Sequence, residues 1–224
     1  MITAVLFDMD GVLIDSEPLH FTAARETLAR YGKRFTWEMH LAFLGITEPQ
    51  VWSTLVKRFG IAEDYHVLME EKARQYPELL REQGAAIPGA VELVQRLAGT
   101  GHVQLAIGSS LPRAEIDAVL ARLQITRLFS AIVSGDDVLH SKPDPEVYLQ
   151  AAAALKAAPE QCPVVEDAAN GVEAAKAAGM RCVAVTSSLP AERLNGADHI
   201  ISELREFRTE WPGLQDTSIT LNIS

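Results

Sequence analysis

Cysteine is scarce in this chain. Two occur in 224 residues, Cys162 and Cys182, with neither a pairing rhythm nor metal-ligand spacing. That argues against a disulfide framework and a thiolate metal site. Both read as small core residues of a reducing compartment, and a cytoplasmic protein is expected. Long apolar runs are absent too: none reaches the roughly 18 residues that a membrane span needs. There is no charged leader and no cleavage-site pattern, so no signal peptide is expected. Basic residues are outnumbered, 20 against 30 acidic ones, with a net charge of −10 and no Lys/Arg-rich run. Nucleic acid and anionic membrane are therefore not expected as partners. A phosphorylated substrate would need a metal and a few local cations to overcome this overall field. No internal repeat or low-complexity segment occurs.

What is present is apolar. Hydrophobic residues make up 48% of the chain, enough for a sizeable core and too many for disorder. The length allows one large domain, or one domain with a small insert. The stretch from Ile2 to Ser16 holds the first chemical signal. Val5, Leu6 and Phe7 form a short β-prone run that stops at Asp8, with Asp10 and Gly11 close behind. A buried strand ending in Asp-x-Asp-Gly sets two acids at the carboxyl edge of a sheet, where open α/β sheets bind ligands. Two such close carboxylates repel unless a cation or a proton lies between them. An ordinary Asx-type turn after an edge strand is the plainer alternative, since Asp and Gly are common turn residues.

The segment from Ser16 to Tyr31 reads as a helix, with Ser16 as N-cap, Pro18 in the first turn and Gly32 as stop. Further helices are expected over 37–44, 48–59 and 64–82, each followed by a glycine, and no convincing strand appears between Ile14 and Ile87. Residues 15–87 are thus expected to form a helical cap domain, hinged near Asp15 and near Ala85 to Gly89. Beyond Pro88 short apolar strands alternate with helices. Strands are expected over 103–107, 131–133, 163–165, 182–185 and 198–201, and helices over 90–97, 113–123, 145–157 and 172–178. This alternation implies an α/β fold: a doubly wound parallel, Rossmann-like core over 1–14 and 88–210, with the all-helical cap inserted after the first strand. The tail, 211–224, has no strong pattern and reads as a strand addition or a loose end.

Polar residues stand at four strand ends: Asp8 and Asp10, Ser109, Lys142 in the loop after Val133, and Glu166 with Asp167. In a parallel sheet these ends share one edge, so the residues can converge. Two acids, a hydroxyl, a lysine and a second acidic pair suit phosphoryl transfer through an aspartate nucleophile. The all-oxygen donor set suits Mg²⁺. The lysine and the metal would neutralise charge on the transferring group.

Four motifs carry a resemblance: Phe7-Asp-Met-Asp-Gly-Val12, Ile107-Gly-Ser-Ser110, Ser141-Lys-Pro-Asp-Pro145, and the run from Val165 to Gly179. In order and spacing the chain resembles the haloacid dehalogenase superfamily, in the subgroup with a helical cap after the first strand. The resemblance implies roles. Asp8 is nucleophile and metal ligand. Asp10 is general acid/base and reaches the metal through its backbone carbonyl. Ser109 and the Ser110 amide hold phosphoryl oxygens, and Lys142 pairs with Asp8 and the phosphate. Asp167 ligates the metal, with Glu166 ligating or holding metal-bound water. Plainer alternatives remain: Ser109 as cap of the following helix, Lys142 as a solvated loop lysine, and Asp167 with Asn170 as caps of the helix at Val172. Dehalogenase-type members lack an acid at the position of Asp10. Its presence favours phosphoryl chemistry, which needs a proton for the leaving alkoxide and a base for water.

Substrate contacts are expected from His20, in an Asp-Ser-Glu-Pro-Leu-His run similar to one in β-phosphoglucomutases and sugar phosphatases, and from Arg113. Close mutases carry an arginine just after the glycine turn of the cap and a lysine after the serine. Here Glu48 and Pro112 stand there, with Arg113 as a partial substitute. Three readings follow. The first is a Mg²⁺-dependent phosphatase acting on a small phosphorylated metabolite, a sugar phosphate above all. The second is a β-phosphoglucomutase-like phosphomutase. The third is a non-catalytic module that accepts a phosphoryl group.

Overall fold

A computed structural model of the protein describes residues 2–43, 46 and 48–210. The tail beyond 210 lies outside the described residues, as do residues 44, 45 and 47 of the expected glycine turn.

Strand β1, Ala4–Phe7, is buried along its whole length. That is the pattern of a strand covered on both faces, and its continuous apolar run follows from it. It sits inside a six-stranded sheet with β4 (Gln104–Gly108), β5 (Ala131–Val133), β6 (Val164–Glu166), β7 (Cys182–Val185) and β8 (His199–Ile201). The order is β5-β4-β1-β6-β7-β8, and every pairing is parallel. β1 therefore has the strands of the middle of the chain on one side and those of its end on the other. The crevice at this reversal is where a doubly wound sheet binds ligands.

Helices α5 (Ala90–Ala98) and α6 (Arg113–Arg122) cover one face of the sheet, packing Leu93, Val94, Ile116 and Val119 against Val5 and Phe7. Helices α7 (Glu146–Ala154) and α8 (Ala169–Ala177) cover the other, where Ala151, Ala174 and Ala175 permit close approach to Leu6 and Val164. Four further helices follow β1: α1 (Glu17–Arg30), α2 (Trp37–Leu41), α3 (Glu48–Phe59) and α4 (Tyr65–Gln83). They enclose a separate apolar cluster of Leu28, Phe35, Trp52, Leu55 and Leu68. Full burial of one such leucine contributes about 1.5–3 kcal/mol.

The expectation of no strand between Ile14 and Ile87 needs correction. β2 (Ile14–Asp15) and β3 (Ala85–Ala86) pair antiparallel at the two expected hinges. Two-residue strands carry no readable period, and this ladder exists only because the fold brings its two ends together. Ser16 occupies the N-cap position of α1, but its side chain makes no capping bond. Instead its backbone carbonyl accepts from the amides of Leu19 and His20. Helix α2 ends at Leu41 rather than 44, α7 stops at Ala154 rather than 157, and α8 starts at Ala169, three residues before the expected Val172.

Candidate active site

Eight of the nine singled-out residues line one cavity of about 240 Å³ at the carboxyl ends of β1, β4 and β6. Asp8 follows β1 directly, Ser109 and Ser110 follow β4, and Glu166 ends β6 with Asp167 next to it. Lys142 arrives on the loop after β5, and His20 on α1. The ninth, Arg113, lies elsewhere. Its side chain is exposed and pairs with Asp117 one turn along α6 at 3.1 Å.

Lys142 is the hub. Its side chain is 5% exposed, so the solvated-lysine alternative does not hold. Nζ donates to Asp8 Oδ1 at 2.7 Å and to Glu166 Oε1 at 2.8 Å, and it lies 4.7 Å over the Tyr148 ring. Burial alone would lower this lysine, but the carboxylates of Asp8 and Glu166 hold it above its ordinary range. Glu166 is saturated. Oε1 also accepts from the Tyr148 hydroxyl at 2.6 Å, and Oε2 accepts from the amides of Asp167 and Ala168 at 2.9 and 3.1 Å. Burial works to raise Glu166, yet Lys142 keeps it below the usual carboxylate range.

The other acids are crowded. Burial pushes Asp8 up to about 7; Lys142 opposes this, while Glu166 and Asp10 add to it. Burial, with Glu166 and Asp8 nearby, holds Asp167 well above its ordinary value. One oxygen from each of Asp8, Glu166 and Asp167 lies within 4.8 Å of the others. Burial likewise raises Asp10, whose Oδ1 is buried without a hydrogen-bond partner among the described residues. Gly11 makes this packing possible. Its φ of +66° is a left-handed conformation that side chains rarely adopt, and a Cβ there would overlap Asp167 Oδ2.

The helix-cap alternatives fail in the structure. Ser109 Oγ accepts from the Leu111 amide at 3.1 Å, and the N-cap of α6 is Pro112. The N-cap of α8 is Ala168, with no side-chain capping bond, and Asn170 Oδ1 accepts from the Gly171 amide at 3.0 Å, inside the helix rather than at its cap.

A second cavity, about 410 Å³, adjoins the first and shares Asp10, Glu17 and His20 with it. Its chemistry centres on Lys72 of α4, which sequence reasoning missed. Lys72 is 5% exposed, forms an ion pair with Glu48, and donates to His20 Nδ1 at 2.8 Å. An ammonium has no lone pair, so this His20 nitrogen accepts and the ring is neutral with its proton on Nε2. Burial, with Lys72 and His40 beside it, keeps His20 well below its ordinary value. The ring stacks on Tyr76 at 4.4 Å. A signal for Lys72 was present: Leu68, Lys72, Tyr76 and Leu79 lie on one helical stripe, and a lysine within an apolar stripe is rarely buried unless paired. Tyr148 and Ser188 were also missed.

Gly171→Ala tests the support of Glu166. In a helix the change should help by about 1 kcal/mol. Here the new Cβ would overlap the Glu166 carboxylate. Displacing one partner of a buried ion pair costs about 3–5 kcal/mol, so the loss wins. The expected outcome in urea unfolding is a net destabilisation of about 2–4 kcal/mol, with weakened activity. A variant as stable as wild type would mean that Glu166 can move aside at little cost.

Residues 5–185 match the family of haloacid dehalogenase-like hydrolases. A phosphorylated carbohydrates phosphatase of Thermotoga maritima is 39% identical over 204 residues, spanning 89% of this chain and 87% of the relative. The fructose-1-phosphate phosphatase YqaB of Escherichia coli is 34% identical, over 81% of this chain and 95% of its own length. The solved β-phosphoglucomutase of Clostridium difficile superposes with a TM-score of 0.73 at 25% identity, covering 94% of this chain and 95% of that one. With the motifs at one sheet edge and a match across most of its length, this chain belongs to the haloacid dehalogenase-like hydrolases.

Proposed function

We propose that this chain is a Mg²⁺-dependent phosphatase that hydrolyses a small phosphorylated metabolite, a sugar phosphate fitting best, through an aspartyl phosphate on Asp8. The observation that carries this reading is the placement in one cavity of Asp8, held by Lys142, and Asp10, whose Oδ1 is buried without a hydrogen-bond partner among the described residues. The relatives described above act on phosphorylated sugars, which supports the substrate class.

Asp8 attacks phosphorus with a carboxylate oxygen, and the ester oxygen departs with the proton that Asp10 gives up. Its raised pKa suits Asp10 to that first role. The resulting Asp10 carboxylate then takes a proton from water as that water attacks the aspartyl phosphate. Inorganic phosphate leaves and Asp8 is restored. Lys142 fixes the Asp8 rotamer and faces the phosphoryl oxygens together with Ser109 and Ser110.

The site fits a hard divalent cation. Three buried carboxylates crowd within 4.8 Å of one another, and every donor is oxygen. Asp8, Asp167 and the Asp10 carbonyl would hold the ion. Glu166, whose oxygens are already taken by Lys142, Tyr148 and two amides, is better placed to orient Lys142 than to ligate the ion. When bound, Mg²⁺ supplies positive charge to the transferring group. The helical unit, residues 15–87, would act as a cap over the leaving group, its two links joined by the β2–β3 ladder.

A panel of phosphorylated metabolites assayed for free phosphate tests the proposal. Likeness to a β-phosphoglucomutase favours a second reading, a phosphomutase. That cycle must grip a second phosphate while a bis-phosphorylated intermediate turns round. Lys72 is the one Lys or Arg among the described residues of the second cavity, and Glu48 already pairs with it. With a bis-phosphate primer present, glucose 1-phosphate and glucose 6-phosphate are expected to interconvert no faster than phosphate is released. Isomer formation exceeding hydrolysis by tenfold or more, about 1.4 kcal/mol of barrier, would favour the mutase.

A further inference from the structure

The second cavity has a charge pattern of which the proposed chemistry uses only Asp10. Four acids line it, Asp10, Glu17, Glu48 and Glu115, against a single lysine among the described residues. Glu17 is paired with His40 at 2.7 Å and Glu48 with Lys72. His20 is held neutral, so it adds no positive charge. Glu115 remains. It reaches the cavity from α6 of the sheet domain, not from the helices above, and is half-buried. Its carboxylate has no hydrogen bond or ion pair among the described residues. Nearby, the Tyr76 hydroxyl and Asp10 Oδ1 are buried and also have no hydrogen-bond partner among the described residues. The cavity lining thus combines acceptors and an excess of negative charge with apolar residues such as Trp52 and Phe35.

We propose that Glu115 makes this cavity select against a second anion, so that the phosphate ester turned over here carries a neutral or ammonium-bearing polyol. The inference rests on the phosphatase reading and narrows it. Burial and the nearby Asp10 hold Glu115 above the ordinary carboxylate range, with Glu48 adding and Lys72 opposing. An incoming ammonium or a set of hydroxyl donors relieves that crowding. An incoming carboxylate or second phosphate worsens it, and like charges set side by side in a desolvated pocket are costly. Sugar hydroxyls would also satisfy Tyr76 and Asp10. The volume, about 410 Å³, is that of a small-metabolite pocket.

The test compares kcat/KM for phosphate release from three ring-matched compounds: glucosamine 6-phosphate, glucose 6-phosphate and glucose 1,6-bisphosphate. The wild-type enzyme is expected to prefer the first over the last by at least about tenfold. Glu115→Gln removes the charge at nearly constant shape and is expected to shrink that ratio by at least about fivefold. Glu115→Asp, which keeps the charge, should retain the preference. A merely structural role would lower all three substrates by one common factor, and that result overturns the proposal. So does a wild-type preference for the bisphosphate. Turnover of para-nitrophenyl phosphate with none of the three sugars hydrolysed also overturns it, while leaving the phosphatase reading intact. Absence of phosphate release from every compound, para-nitrophenyl phosphate included, defeats both.

Discussion

Asp8→Asn is expected to lower phosphate release by at least about four orders of magnitude, the scale seen when a nucleophile is removed from a covalent mechanism. The amide keeps the shape of the side chain but loses the anionic oxygen that attacks phosphorus in the proposed mechanism. The fold should survive. Lys142 keeps Glu166 and the Tyr148 ring as neighbours. Burial, with Glu166 and Asp10 nearby, already pushes Asp8 up to about 7 despite Lys142, and the neutral amide relieves that crowding among the acids. Thermal unfolding of the metal-free variant is therefore expected at or above the wild-type midpoint. The checks are a phosphate-release assay with the best panel substrate and a melting curve on the same preparation. Retention of more than a few per cent of wild-type turnover would remove Asp8 from the nucleophile's role.

Chelation is expected to have the second largest effect. Excess EDTA should lower turnover by at least about a hundredfold, since a metal at such a site contributes several kcal/mol to the transition state. Mg²⁺ should restore it. Calcium should bind and inhibit, because its larger and looser oxygen shell misplaces nucleophile and phosphate. Metal-free enzyme should also gain stability when Mg²⁺ is added, as the ion neutralises the crowded Asp8, Glu166 and Asp167 carboxylates. Full activity after exhaustive chelation, with no stabilisation by Mg²⁺, contradicts the assigned ligand set.

The polar edge of the sheet was legible because parallel strands carry short, wholly apolar runs that end in polar residues. Val5 to Phe7 then Asp8, and Val164 with Val165 then Glu166 and Asp167, are such endings. A parallel sheet brings all of them to one side. The four helices between Asp15 and Ile87 were also readable, because a glycine stop signal follows each within a few residues. Element ends were less so. The first turn of α8 holds Asn170 and Gly171, poor helix signals, and the amides just ahead of it are satisfied by Glu166, a contact that only the fold supplies.

Local sequence, then, determined the strand-and-helix succession, the insert, and which acids, serine and lysine would meet. These follow from periodicity and from the constraint that parallel strands end together. Tertiary structure alone decided the rest: the β2–β3 ladder, the saturation of Glu166 by Tyr148, and the place of Arg113 on the solvent side of α6. It also decided the composition of the second cavity. Lys72, Glu48 and His20 come from three different helices, and Glu115 from a fourth, so no spacing along the chain relates them. Their meeting depends on how helices of the insert pack over the sheet edge, and that is set by the burial of many side chains at once.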